Sequence, residues 1–506
     1  MEKQKNDKKE KHQALLISST SLTLGIIFNY LFFDTPLGIS FFIYILLILI
    51  ALFSLSKILK KQLNNEVTIL LVPLIFFSTM VFIRSSSLLT FLNIMAPLFI
   101  LLLIAKISFH KPLKKFLTNE YIKTIFLPFK FILPLGQTVS KLFSSVTYKG
   151  NKLPQIIRGI LITIPILIIF ILLFSSADLI FGKYLSEIIT IHITQETVAQ
   201  IFIILTVTLI FMGAYSYIFT KGQDKDKIPK QINLGHIETS ILLASINVLF
   251  LLFIIIQLAY LFGGEENISS QGFTYSEYAR RGFFELIAVA VISFLVLFLT
   301  DKYTEKGKNE HKKIFKTLAS ILIIQVMIIM YSAIVRLSLY EQAYGLTTLR
   351  LYSHAFILLL ALVLGMLFYK IHKQTKEETF ALELSISVLL FLFSMNILNP
   401  DAFIADYNIR NADKIKKLDT DYLCYLSDDA LPSTIEILDS QDETTKANFA
   451  NCIYHKTLGQ ENNGKWKSFN ISHSKAKELL DERKLELEKY KDYLAPQTMQ
   501  TADKVE

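Results

Sequence analysis

Long apolar runs alternate with short polar segments from residue 14 to residue 398. About eleven such runs are present, with approximate limits 14–33, 37–56, 67–83, 87–105, 155–175, 197–219, 236–262, 278–300, 315–335, 351–369 and 379–398. A bilayer crossing takes about 20 mostly apolar residues in a helix. Lipid offers no water to unpaired backbone groups, so runs of this length are expected to be helices. Soluble helices show a polar face at the helical period, which these runs lack. The pattern therefore predicts an all-α polytopic bundle of about eleven spans over 14–398. The first run follows Lys3, Lys5, Lys8, Lys9 and Lys11 in a basic segment, 1–13. It is long and has no small-residue cleavage site before Asp34, so it is expected to stay as the first span.

The polar segments predict the orientation. One alternating set holds Lys57, Lys60 and Lys61, nine lysines from Lys106 to Lys152, the Lys221–Lys230 group, six lysines from Lys302 to Lys316, and Lys370, Lys373 and Lys376. The other set holds only Arg84, Lys183, Arg280, Arg281, Arg336 and Arg350 before residue 399. Basic loops stay in the cytoplasm. The expected N-terminus is therefore cytoplasmic and the C-terminus extracytoplasmic. Loop 106–154 is long, and Pro128 and Pro134 argue against a straight span within it. Two readings stand: an interfacial segment whose lysines meet anionic lipid, or a basic loop that only sets topology.

The character changes at Asn399-Pro400-Asp401. Residues 399–506 carry 15 basic and 20 acidic residues against a net charge of +9 for the chain. Segment 399–493 reads as a small helical extracytoplasmic domain, with helices near 415–426, 430–438, 445–455 and 475–493, the last capped by Ser472 or Ser474. Segment 494–506 has little to bury and reads as a disordered tail. Cys424 and Cys452 are the two cysteines of the chain. In an oxidising compartment they are either disulfide-bonded or two buried thiols. The domain also offers a surface for a protein partner.

Candidate chemistry concentrates at the basic-poor side. Glu277, Arg281 and Glu285 fall at i, i+4 and i+8 of a helix, with Arg280 beside them. Arg336, Tyr340 and Tyr344 repeat that spacing, with Glu341 and Arg350 close in sequence. Asp178 follows the fifth span at the same expected level, and His354 sits just inside the tenth. Charges at the mouth of a span are costly unless paired or hydrated. Two readings follow: a polar vestibule gripping an anionic or zwitterionic ligand through its arginines, or an ion-pair lattice that orients helices and docks the C-terminal domain. Asn247, Gln257, Gln325 and Asn396 are expected to bond between helices.

No phosphate loop, HExxH or metal-spaced cysteine and histidine set occurs, so no metal or cofactor is implied. The basic charge follows the loops and does not point to nucleic acid. No catalytic motif marks an enzyme.

The stretch Glu277-Tyr278-Ala279-Arg280-Arg281-Gly282-Phe283-Phe284-Glu285-Leu286 resembles the signature of an uncharacterised bacterial multi-pass family, the domain of unknown function 4153/4173. So do Tyr340-Glu341-Gln342-Ala343-Tyr344-Gly345-Leu346-Thr347-Thr348-Leu349-Arg350, the Asn399-Pro400-Asp401 step with Asn408, and Trp466-Lys467-Ser468-Phe469-Asn470. The resemblance runs over roughly 150–495, with Phe469 where tryptophan is expected. It implies an integral membrane protein of bacteria, expected in the inner (plasma) membrane, and no chemistry. The leading expectation is a non-enzymatic sensor or transporter-like protein with an outward polar vestibule. The alternatives are an intramembrane enzyme using Glu285 or Asp178 on a lipid-linked substrate, and a scaffold whose C-terminal domain binds a partner.

Overall fold

A computed structural model describes residues 2–108, 112–143, 195–219, 234–261, 283–304, 309–413, 415, 418–458 and 466–493, with positions 163, 167, 170, 174 and 178 between them. The described chain is all-α. Its long helices are α1 (Glu2–Phe32), α2 (Ile39–Ile58), α3 (Glu66–Ile83) and α4 (Ser87–Ile107). Three short helices follow, α5 (Thr118–Ile125), α6 (Leu127–Lys130) and α7 (Ile132–Phe143). Next come α8 (Gln195–Phe219), α9 (His236–Leu261), α10 (Phe283–Tyr303), α11 (Asn309–Tyr344), α12 (Thr348–Lys373) and α13 (Glu377–Leu398). The C-terminal region holds α14 (Pro400–Arg410), α15 (Thr420–Tyr425), α16 (Leu431–Thr434), α17 (Glu443–Leu458), α18 (Ile471–Glu482) and α19 (Lys484–Glu488).

Ten described helices, α1–α4 and α8–α13, are long and apolar enough to cross a membrane. They coincide with ten of the eleven apolar runs. The remaining run, 155–175, lies almost entirely outside the described residues. The protein is a multi-pass α-helical membrane protein.

The chain divides into two compact units. The first comprises Met1–Ile83, Leu92–Lys225 and Gly464–Asn470. In it α1 crosses α8 at Gly25, where an added Cβ would collide with Thr208 Oγ1 and lie 2.7 Å from the Ile204 carbonyl oxygen. A small residue lets two membrane helices approach this closely. Tyr215 donates to the Ile48 carbonyl at 3.0 Å, and Thr138 bonds Ser216 at 2.7 Å. Pro128 stands at the start of α6, and residues 118–143 form short helices instead of one span. Tyr121, Leu127 and Phe131 face inward, whereas Phe129 and Leu133 are 72% and 77% exposed. Residues 466–468 form a short 3₁₀ turn, and Ile39 donates its N–H to the Phe469 carbonyl at 3.0 Å.

The second unit comprises Arg84–Phe91, Asp226–Asn463 and Ile471–Glu506. Its helical core joins Leu243, Ala290, Leu297, Leu322, Val326 and Leu364. Asn247 donates to the Leu318 carbonyl and Gln325 to the Asn247 carbonyl, each at 3.0 Å. These are the interhelical bonds expected. Asn396 differs: its side chain bonds back to the Leu392 carbonyl of its own helix at 2.9 Å.

The C-terminal region has its own core of Ile404, Leu423, Leu438, Phe449 and Ile453. Helix α14 was not expected from the sequence; Asn399 turns the chain at φ +53° and Pro400 opens the helix, as proline suits a first turn. The expected 415–426 helix starts only at Thr420, because Asp419 caps it by accepting from Tyr422 N–H at 2.9 Å. The expected 475–493 helix instead starts at Ile471 and breaks at Arg483, whose guanidinium reaches Asp439 at 3.1 Å. The break lets Leu487, 3% exposed, join the core.

Replacing Gly25 by Leu is expected to force α1 from α8 and cost roughly 1–3 kcal/mol. A lowered thermal midpoint of the purified protein would show it; an unchanged midpoint would refute the close crossing.

Candidate functional site at the lysine-poor helix ends

The loop between α11 and α12 is held by the C-terminal region. Gly345 has φ +76°, a conformation that favours glycine, and an added Cβ would lie 2.8 Å from Asn408 Oδ1. Buried Asn408 accepts from Leu346 N–H at 2.6 Å and donates to the Leu346 carbonyl at 2.8 Å. Tyr422 accepts from Thr348 N–H at 2.7 Å. Leu346 and Leu351 pack with Ile404, Leu423 and Leu426, so the loop is part of this core.

The residues singled out in the sequence are distributed around that loop. Glu341 meets His354 at 3.2 Å. It also bonds Tyr407, whose phenol is held above its usual range by burial first and by Glu341 second. Arg350 lies 4.1 Å over the Tyr340 ring and donates to the Tyr344 carbonyl at 3.3 Å and to the Gly345 carbonyl. The Tyr340 and Tyr344 rings pack at a tilt of 52° with centroids 4.9 Å apart. Arg336 is half-buried on the same helix. Glu285 sits exposed in the first turn of α10. Asp178 belongs to the first unit, is exposed, and donates its N–H to the Phe174 carbonyl at 2.9 Å. Glu277, Arg280 and Arg281 lie outside the described residues.

A second anchor was not foreseen. Asp429, 4% exposed, accepts from Ser85 N–H at 2.7 Å and Ser86 N–H at 3.0 Å. Ser472 donates to its other oxygen at 2.5 Å, and Arg84 stands 3.8 Å from that oxygen. Asp429 thereby supplies the carboxylate that unpaired N–H groups attract just ahead of α4. Arg84 in turn donates to the Asn396 carbonyl at 3.0 and 2.6 Å.

Between these two anchors lies a cavity of about 500 Å³. Its lining includes Ser85, Ser86, Thr348, Asp401, Asp428 and Lys456. Asp401 is 5% exposed and one of its oxygens accepts from Ser427 N–H at 3.3 Å. Its other oxygen, Oδ1, is buried with no hydrogen-bond partner among the described residues. Lys456 donates to the carbonyls of Cys424 at 2.9 Å and Leu426 at 2.8 Å. Burial pushes its ammonium down from the usual lysine range, opposed by the charges of Asp428 and Asp401. Asp428 holds His473 Nδ1 at 2.7 Å. Cys424 on α15 and Cys452 on α17 form a disulfide with Cα atoms 6.3 Å apart, which ties together the segment that carries Lys456's acceptors and the helix that carries Lys456. The described residues hold no cluster of three or more His, Cys, Asp or Glu placed to bind a metal ion.

Of this set, Asn408, the Asn399-Pro400-Asp401 step, Arg84 and the two cysteines stood out in the sequence. Asp428, Asp429 and Lys456 carry no spacing or motif that marks them there.

Substituting Asp429 by Ala removes the acceptor for two N–H groups and leaves Arg84 without its carboxylate. The expected cost is about 3–5 kcal/mol, read as faster limited proteolysis within 399–493, with Asp429→Asn giving a smaller loss. Wild-type protease resistance in Asp429→Ala would show that the anchor is unimportant.

Neither the curated proteins nor the solved structures include a significant match. A family model described as a domain of unknown function (DUF4153) matches residues 71–437. The match begins and ends earlier than the motif resemblance, and Trp466–Asn470 falls beyond it. It takes in α4, the α11–α12 loop, Asp401 and Asp429, and it covers well over half of the chain. The chain belongs to the DUF4153 family.

Proposed function

We propose that this protein is a non-enzymatic ligand-binding membrane protein, a sensor or transporter-like component of the bacterial cell membrane. Its site is the extracytoplasmic cavity that Asp401 lines. The observation that carries this reading is Asp401 Oδ1, buried against the cavity without a donor. Leaving such an acceptor unmatched costs about 1–3 kcal/mol, which a donor-bearing ligand recovers on binding. The lining has more carboxylate than ammonium character, so it suits an amine or polyhydroxyl group. The Arg350 and Glu341 side chains are engaged with their neighbours, which favours a framework role for that ladder over direct ligand contact.

The orientation rests on the lysine distribution, which puts α12's Thr348 end outside. The same reading lays α5–α7 on the inner leaflet, with Phe129 and Leu133 toward acyl chains and the loop lysines toward anionic head groups. A disulfide in the C-terminal domain fits an oxidising compartment.

Two experiments test this. The purified protein should gain thermal stability in millimolar glucosamine, ethanolamine or spermidine, and Asp401→Asn should abolish that gain. No gain with any of the three, or the same gain in Asp401→Asn, would exclude the cavity as the site. On intact cells, a membrane-impermeant maleimide should label Cys452 only after an impermeant reductant is added. Labelling that requires cell lysis would invert the topology, and labelling without reductant would contradict the disulfide.

A further inference from the structure

The other end of α12 helps to line a second built cavity that the outer reading does not use. Its volume is about 420 Å³, and it is lined by Asp301 and Lys302 of α10, Lys312 and Lys316 of α11, Lys370 of α12, Thr375, and Glu377 of α13. That size lies in the range of about 300–1,000 Å³ typical of small-molecule sites.

Four lysines and two carboxylates give the lining an excess of two positive charges. Both carboxylates are already engaged. Asp301 pairs with Lys370, the two residues being 9% and 6% exposed. Lys370 Nζ also lies 5.7 and 5.4 Å from the centroids of the stacked Phe298 and Phe380 rings. Glu377 pairs with Lys302 at 2.7 Å. Lys316 donates to the His372 carbonyl at 2.9 Å, which leaves two of its N–H groups for the cavity. Lys312 is half-buried and has no ion pair among the described residues. The N-terminus of α13 opens onto the same space, and its cap residue Lys376 supplies no side-chain hydrogen bond. Its first N–H groups are therefore free to meet an anion.

Topology alone requires lysines in a loop. It does not require a buried Asp301–Lys370 pair, which is expensive to desolvate. Here that pair forms the floor of the cavity by joining α10 to α12, while Lys312 and Lys316 form an uncompensated wall. A tetrahedral dianion matches an excess of two charges and can accept from ammonium and amide donors together.

We propose that this cavity binds a phosphoryl group, gripped by Lys312, Lys316 and the α13 N-terminus. The group can belong to a soluble phosphate or to a lipid head group. The full-length protein in dodecyl maltoside micelles, free of added phospholipid, separates these sources. One arm titrates inorganic phosphate against chloride at equal ionic strength. The other titrates phosphatidic acid against phosphatidylcholine. Binding is expected in at least one arm: in the phosphate arm for a soluble ligand, in the phosphatidic acid arm alone for a head group. The double variant Lys312→Gln/Lys316→Gln should bind about tenfold or more weakly, since each lost charge-assisted bond weakens the grip. Lys313→Gln removes the same kind of charge from an exposed position outside the cavity and should leave binding unchanged. Wild-type binding in neither arm would overturn the proposal, as would an equal loss in Lys313→Gln. Because Lys312 makes no ion pair, Lys312→Gln alone keeps the test valid if the double variant does not fold.

Discussion

The second unit is organised around one buried carboxylate. Asp429 accepts from two consecutive backbone N–H groups ahead of α4, and this is the interaction on which the C-terminal region's placement in that unit depends. A connecting turn next to an apolar helix has N–H groups that must be matched, either by water or by a fixed acceptor. Asp429 supplies the acceptor and the negative charge at once, with Ser472 and Arg84 balancing it. Asn408 repeats the logic at the α11–α12 loop with a neutral amide, satisfying both the N–H and the C=O of Leu346. Two loops far apart in sequence are thus fixed by side chains of one small disulfide-bonded region.

Much of the fold was legible because membrane spans are written in composition. Ten apolar runs became ten helices, although the 315–335 run extends to a helix over Asn309–Tyr344 and the first helix begins well before residue 14. The C-terminal region was less legible, for local reasons. Asp419 moved a helix start, Arg483 broke a helix to seat Leu487, and Asn399-Pro400 began a helix where the sequence showed only a change of character. Each depends on a side chain finding a partner distant in sequence or on a backbone angle, and neither leaves a periodic trace.

The candidate site shows the same division. Charges inside an apolar run announce themselves, so Arg336, Glu341 and Arg350 stood out. Charges in an ordinary helical domain do not, so Asp428, Asp429 and Lys456 did not. Yet the conspicuous side chains proved to be engaged: Glu341 with His354 and Tyr407, and Arg350 with a ring and two carbonyls. A charge that enters a membrane boundary has to be satisfied before the helix can be stable, so its presence reports a framework need first. A buried carboxylate oxygen in a cavity wall has no such structural excuse. Asp401 costs stability where it stands, and costs of that kind collect where ligands bind.

Helix α12 carries features of both cavities, with Thr348 at one end and Lys370 at the other, about 33 Å apart at about 1.5 Å per residue. Continuity along a rod does not by itself couple its ends; coupling needs an element with two arrangements that both sites bias. Each end of α12 is held by buried partners, the Thr348 end by Tyr422 and the Asn408-bound loop, the Lys370 end by Asp301 and two aromatic rings. Such clamping fits a helix that fixes the geometry of two separate sites better than one that slides between states. The two sites then differ in chemistry as they differ in place. On the proposed readings the carboxylate-lined cavity takes donors and the lysine-lined cavity takes acceptors, and a single ligand class would not satisfy both.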